Sequence, residues 1–193
     1  MKVVPTRVVY LPARHQLDYL AEHVRRSVSR GRQVLLVTAN QSARRLWDYF
    51  VSIGIDTERV HIVDVVSSPI LSTARADSSH LTYIGNPMAI ETIIARGERI
   101  ARRLDPPVHV VVHNLNALCL YNSAEVLEEA IRHVVRDVID PEVLVDLVVE
   151  EEGGLYRDLD RFLMMFADYR KALGPRVMPV GGKQASAPEK PRA

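Results

Sequence analysis

Val34-Leu35-Leu36-Val37 is apolar at every position. A strand with one wet face alternates apolar and polar residues, so an unbroken run belongs to a strand covered on both faces. Amphipathic segments flank it. Leu17, Leu20, Ala21, Val24 and Val28 precede it at helical spacing, and Leu46, Trp47, Phe50 and Val51 follow. Short apolar runs alternating with such segments predict βαβ units, hence a parallel sheet between helical layers.

The pattern continues along the chain. Strands are expected at 7–11, 33–38, 60–66, 108–113 and 143–149, each followed by a helix. Gly31 and Gly54 stop the first two helices. Asn86-Pro87 caps a third, with Ile90, Ile93, Ile94, Gly97, Ile100 and Leu104 as its stripe, and Asp105-Pro106-Pro107 breaks it. Asn122-Ser123-Ala124-Glu125 opens a fourth, stopped by Asp140-Pro141. A final helix is expected over 155–173, with Leu159, Phe162, Leu163, Phe166 and Tyr169 on one face, ended by Gly174-Pro175. The Ser/Thr/Asp-rich stretch 67–85 is long for a connector and reads as a functional or mobile loop. The 193 residues suffice for one sizeable core. The expected architecture is a single three-layer α/β domain over 1–175 with a mainly parallel sheet of five to seven strands. Residues 176–193, rich in Gly, Pro, Ala, Ser and charge, form a flexible tail.

Several function classes drop out on composition. The longest apolar runs, 108–112 and 143–149, are too short to span a bilayer. Met1-Lys2-Val3-Val4-Pro5 lacks a signal-peptide core, so the expected location is cytoplasmic. One cysteine, Cys119, excludes an internal disulfide and any cysteine-cluster metal site, and its apolar surroundings make it a small buried hydrophobe. Charge is uneven. Residues 1–103 carry fifteen Lys/Arg against nine Asp/Glu, whereas 104–193 carry ten against fifteen. This dipolar distribution suits head-to-tail association or an anionic partner. Arg25-Arg26, Arg30/Arg32, Arg44-Arg45 and Arg102-Arg103 suit phosphate contacts, but no stacking aromatics interleave with them, so they read as solvated helix faces.

The turn after the first strand is where nucleotide-hydrolysing α/β proteins carry G-x-x-x-x-G-K-[ST], whose backbone N–H groups and lysine cradle phosphates. Here it reads Pro12-Ala13-Arg14-His15-Gln16-Leu17-Asp18, with neither glycine nor lysine. The surrounding scaffold nevertheless resembles the KaiC/RecA-like branch of the P-loop ATPases over residues 7–173. Val34-Leu35-Leu36-Val37-Thr38-Ala39-Asn40-Gln41-Ser42 is similar to that family's second strand and turn. Ser52-Ile53-Gly54-Ile55-Asp56 and Val60-His61-Ile62-Val63-Asp64 resemble its next helix end and strand. Val110-Val111-Val112-His113-Asn114-Leu115-Asn116-Ala117-Leu118 resembles its Walker B strand and the segment beyond.

The resemblance implies a catalytic layout that this chain departs from. Arg14 is cationic, but without glycines the backbone cannot wrap a triphosphate. Asn40 and Gln41 stand where the family has acidic residues that polarise water, and amides cannot take its proton. His113 stands at the Walker B aspartate, and imidazole is a poor Mg²⁺ ligand. The expectation is a degenerate family member, a pseudo-ATPase with no catalytic residues and no cofactor, rather than an enzyme.

The residues at this end, His15, Asn40, Gln41, His113 and Asn114, are candidates for a degenerate polar pocket, since open α/β sheets bind ligands at the carboxyl ends of their strands. The plainer reading is a hydrogen-bonded loop cluster. His109 and His113 share a strand face but lie about 13 Å apart at ~3.3 Å per residue, so they cannot chelate one ion, and the scattered histidines give no metal site. There is no G-x-S-x-G elbow, and Glu150-Glu151-Glu152 reads as solvated acid. The expected role is a protein-interaction or regulatory module, with a protein partner or a homo-oligomer and no membrane. A nucleotide or small-ligand sensor using the pocket, and weak nucleic-acid binding through the Arg-rich half, are the alternatives.

Overall fold

The computed structural model describes residues 5–67, 79–137, 142–151, 157–166 and 169–172. The expected strands form: β1 (Thr6–Leu11), β2 (Gln33–Thr38), β3 (Val60–Asp64), β5 (Val108–His113) and β6 (Val143–Glu150). Two more complete the sheet, β4 (Leu81–Tyr83) and β7 (Tyr169–Ala172). The helices are α1 (Gln16–Ser29), α2 (Ala43–Ser52), α3 (Ile90–Ala101), the short α4 (Leu115–Cys119), α5 (Ala124–Asp137) and α6 (Arg157–Phe166). The seven strands run parallel in the order β4-β3-β2-β5-β6-β1-β7.

Strand alternation sorts the core into two halves. On one face Val9, Leu11, Val34, Leu36, Ile62 and Val111 pack beneath Leu20, Ala21 and Val24 of α1 and Leu46 and Phe50 of α2. On the other, Val8, Leu35, Val37, Val110, Val145 and Leu147 meet Ile90 and Ile93 of α3, Leu127 and Ile131 of α5, and Leu159 and Leu163 of α6. The result is the expected three-layer sandwich. Gly31 and Gly54 follow α1 and α2 at φ +76° and +74°, the left-handed backbone that ends helices and favours glycine.

Four local expectations change. The stretch 67–85 contains β4, while residues 68–78 lie outside the described ones. The third helix starts at Ile90, because Asn86 uses its side chain to accept from Met88 N at 3.1 Å and so closes a turn instead of capping a helix. Segment 115–119, between strand and capping box, is itself helical. The last helix ends at Phe166, and Tyr169–Ala172 pairs with β1 from Arg7↔Tyr169 to Tyr10↔Ala172. Backbone pairing to a neighbouring strand overrides the helical spacing there. The tail from 176 lies outside the described residues.

Cys119 is buried, as expected, and burial pushes its thiol up to about 11. Thiolate is the reactive form. Native protein is therefore expected to resist an aromatic disulfide reagent at pH 8 and to react fully in denaturant. Rapid labelling of the folded chain would contradict this placement.

Two polar features are built into the sheet. Asp64, fully buried at the end of β3, accepts from Ala43 N (2.7 Å) at the start of α2 and from Val66 N (3.0 Å) and Ser67 N (2.7 Å). Its carboxylate thereby meets the positive end of the helix. Beneath α1, Asp146 of β6 is also fully buried. Arg7 grips it with Nε and Nη2, both at 2.6 Å, and His109 Nε2 lies 3.0 Å from Oδ2. His23 of α1 reaches the same oxygen. Burial opposes ionisation of Asp146, but the hydrogen bonds from His109, His23 and Arg7 outweigh it and hold the carboxyl well below the usual carboxylate range. Burial holds His109 below its ordinary value despite the pull of Asp146.

Candidate functional site

The carboxyl ends of β1, β2, β5 and β6 meet at one end of the sheet. The turn after β1 is a single 3-10 turn, Ala13–His15, closed by His15 N donating to Pro12 O at 2.9 Å. His15 is half-buried, and its Nε2 accepts from Arg14 Nε at 3.1 Å. α1 begins at the next residue, Gln16, whose side chain turns inward and is buried.

Asn114, following β5, is the one described non-glycine residue with positive φ (62°), a conformation Asn tolerates better than most. It is buried and serves three partners. Its Oδ1 caps α4 by accepting from Ala117 N at 3.0 Å, while Nδ2 donates to Glu150 Oε2 at 3.0 Å and to Gln16 Oε1 at 3.3 Å. Asn116 adds a two-bond ring with the backbone of Glu150, accepting from its N at 2.7 Å and donating to its O at 3.1 Å. The β5–α4 turn is thus bolted to the end of β6 and to the start of α1.

His113 lies beside this network. It is 1% exposed, and neither ring nitrogen has a hydrogen-bond partner; Gln16 Nε2 is likewise buried and unpaired. Burial alone pushes the His113 imidazole down to about 4, so the ring is neutral at pH 7. Asn40 is exposed and Gln41 half-buried. The backbone carbonyl of Gln41 accepts from Thr38 Oγ1 at 3.0 Å, and Thr38 pairs with His113 in the β2–β5 register.

Of the five candidates, Asn114 is part of the hydrogen-bonded network and His113 is buried beside it, whereas His15, Asn40 and Gln41 occupy the rim. Asn116, expected at this strand end beside His113 and Asn114, belongs to the same network; Gln16 and Glu150 join it and were not among the pocket candidates. Glu150 stood in a run read as solvated acid; in the structure it is half-buried and bonded to Asn114. The arginine pairs lie largely on outer helix faces. Arg25 and Arg26 both donate to Glu22, Arg44 to Asp48, and Arg102 pairs with Glu98. Among the described residues no helix is long and apolar enough to cross a membrane.

An all-parallel sheet in this order between two helical layers gives the chain a RecA-like α/β fold of the KaiC type. A solved structure with this fold is that of a KaiC-like protein from the hyperthermophilic archaeon Pyrococcus horikoshii OT3. It superposes with a TM-score of 0.60 at 13% identity, covering 86% of this chain and 70% of the archaeal one. No family model and no curated protein matches the chain. At that identity the likeness is one of fold.

Proposed function

We infer that this chain is a degenerate RecA-like domain that does not hydrolyse ATP and serves as a protein-interaction module. The observation that carries the reading is the Gln16–Asn114–Glu150 network. The network ties the start of α1 to the ends of β5 and β6, and the turn before α1 is closed by its own backbone and has no glycine. A neutral, buried His113 supplies no carboxylate for Mg²⁺, and Asn40 and Gln41 offer no base.

The interaction half of the reading is supported by the rim. Leu120 is 79% exposed and Met88 66%, with Tyr121 and Val126 also exposed. Asn122 joins the two loops by donating to Pro87 O at 2.9 Å. Exposed apolar groups held together on a firm framework are what a partner surface requires. In sedimentation across a concentration series the chain is expected to self-associate, or to recover a protein partner by affinity capture, and Leu120→Glu is expected to weaken either association. A monomer at the highest concentration, with no partner captured, would overturn this half.

A second reading has its own observation. The His113 ring nitrogens and Gln16 Nε2 are buried without a partner, and a small ligand with matching donors and acceptors would satisfy them. A thermal-shift titration separates the two. With Mg·ATP or Mg·ADP at millimolar concentration, the interaction module shows no shift. A saturable rise, about 2.7 kcal/mol of stabilisation at a hundred times Kd, would replace it with a nucleotide sensor. If Asn40→Ala and His113→Ala left that affinity unchanged, the pocket would not be the binding site.

A further inference from the structure

We propose that His23, His109 and Asp146 form a binding site for a divalent transition metal of the zinc class, in which the Arg7 guanidinium stands in for the cation when none is bound. The site lies under α1, apart from the carboxyl-end network, and does not depend on the functional reading above.

Three elements deliver the ligands. In the β5–β6 register Val111 pairs with Asp146, so His109, two residues earlier, lies on the same face. α1 lays His23 over both. One ligand atom from each residue falls within 4.8 Å of the others. His109 and Asp146 are fully buried, and the His23 side chain is only 15% exposed. The rings are held in place. His109 Nδ1 lies 2.6 Å from Ser27 Oγ, Tyr19 stacks on His23 at 4.9 Å, and the two imidazoles meet edge-on at 5.0 Å. A ligating histidine anchored through its other nitrogen is the usual outer-sphere arrangement of metal sites.

Proton bookkeeping then points to a cation. His23 Nε2 touches two groups at once, the carboxylate oxygen of Asp146 and Arg7 Nη2 at 2.9 Å. If Nε2 carries a proton it suits Asp146 and opposes the guanidinium, a permanent donor. If it is bare it suits Arg7 and turns its lone pair on the carboxylate. No state of His23 satisfies both. A divalent ion does: both Nε2 lone pairs and the carboxylate point at one positive charge, and His109 Nδ1–H donates to Ser27 Oγ. Arg7 can vacate the place, because its side chain is one-third exposed and has solvent to enter. Two imidazoles and a carboxylate favour Zn²⁺, Co²⁺ or Ni²⁺ over Mg²⁺ or Ca²⁺, which prefer oxygen.

The test uses the full chain, stripped with a chelator and titrated with Co²⁺. The expected result is a saturable visible d–d spectrum of tetrahedral type, displaced by Zn²⁺. Arg7→Gln should tighten binding by roughly tenfold, the scale of outer-sphere effects, because it removes the competing charge. His23→Gln, on the least buried ligand, should abolish the spectrum while circular dichroism stays native. X-ray absorption on the zinc-loaded wild type, which avoids any question of variant folding, should show the imidazole pair of the cluster. The proposal is overturned if neither wild type nor Arg7→Gln gives the spectrum, if the spectrum survives His23→Gln, or if the zinc shell lacks paired imidazoles.

Discussion

Asp146→Ala is expected to cost about 3–5 kcal/mol of stability, the range for removing one partner of a buried ionic cluster. At roughly 2–4 °C per kcal/mol for a domain of this size, Tm should fall by about 10 °C. The carboxylate is fully buried, with Arg7 Nε and Nη2 at 2.6 Å and His109 Nε2 at 3.0 Å. Alanine leaves a guanidinium and two imidazoles facing one another over a void. The cost arises from stranded charge, so removing the charge should relieve it. The combination Arg7→Met, His109→Leu, Asp146→Leu is expected to recover most of the loss, because apolar side chains of similar volume replace buried ion clusters at little or no cost. Both variants can be compared by chemical denaturation with metal chelated. A fall of under 2 °C for the single variant would show that the cluster does not hold α1 to the sheet.

The second large effect is a pH dependence. The His113 imidazole sits at about 4 in the fold because of burial, against ~6.5 in the unfolded chain. Between those values the unfolded state binds the extra proton, so stability rises with pH across the window. The contribution is intact above pH 6.5 and is lost as pH falls toward 4. At about 1.4 kcal/mol per pH unit, the loss is roughly 3 kcal/mol. His109 is depressed too and adds in the same direction; His113→Leu isolates the His113 share. The variant's denaturation midpoint should vary much less between pH 6.5 and 4. At pH 7 it should be no less stable than wild type, since leucine leaves no buried nitrogen without a partner. Parallel pH profiles for the two proteins would refute the assignment.

What could be read from the chain follows from how locally each feature is determined. β2 was visible because four consecutive apolar residues, Val34 to Val37, need cover on both faces. β7 was not, because Phe162, Phe166 and Tyr169 keep a helical spacing through the break. Its strand geometry comes from the backbone of β1, some 160 residues earlier. β4, three residues in a polar stretch, has too little pattern of its own. The same contrast governs the sites. His113 and Asn114 are adjacent in sequence and could be nominated from one strand end. Gln16 and Glu150 join them only through contacts spanning 98 and 36 residues. His23, His109 and Asp146 share no spacing at all. One signal was nonetheless present. Val108-His109-Val110 and Val145-Asp146-Leu147 each set an ionisable residue inside an apolar strand, and a buried charge demands a partner. Asking where each finds one would have paired them.

The sheet's lateral margins bear on how this molecule can assemble. Among the described residues the two outermost strands are short, three residues in β4 and four in β7, while the inner ones run to five to eight. A copy docking strand to strand would find only a few rungs of backbone on either side, a device by which proteins discourage endless edge-to-edge stacking. Any association that the proposed interaction role entails would then rest on side chains of the loops and helices, where a single substitution can tune it.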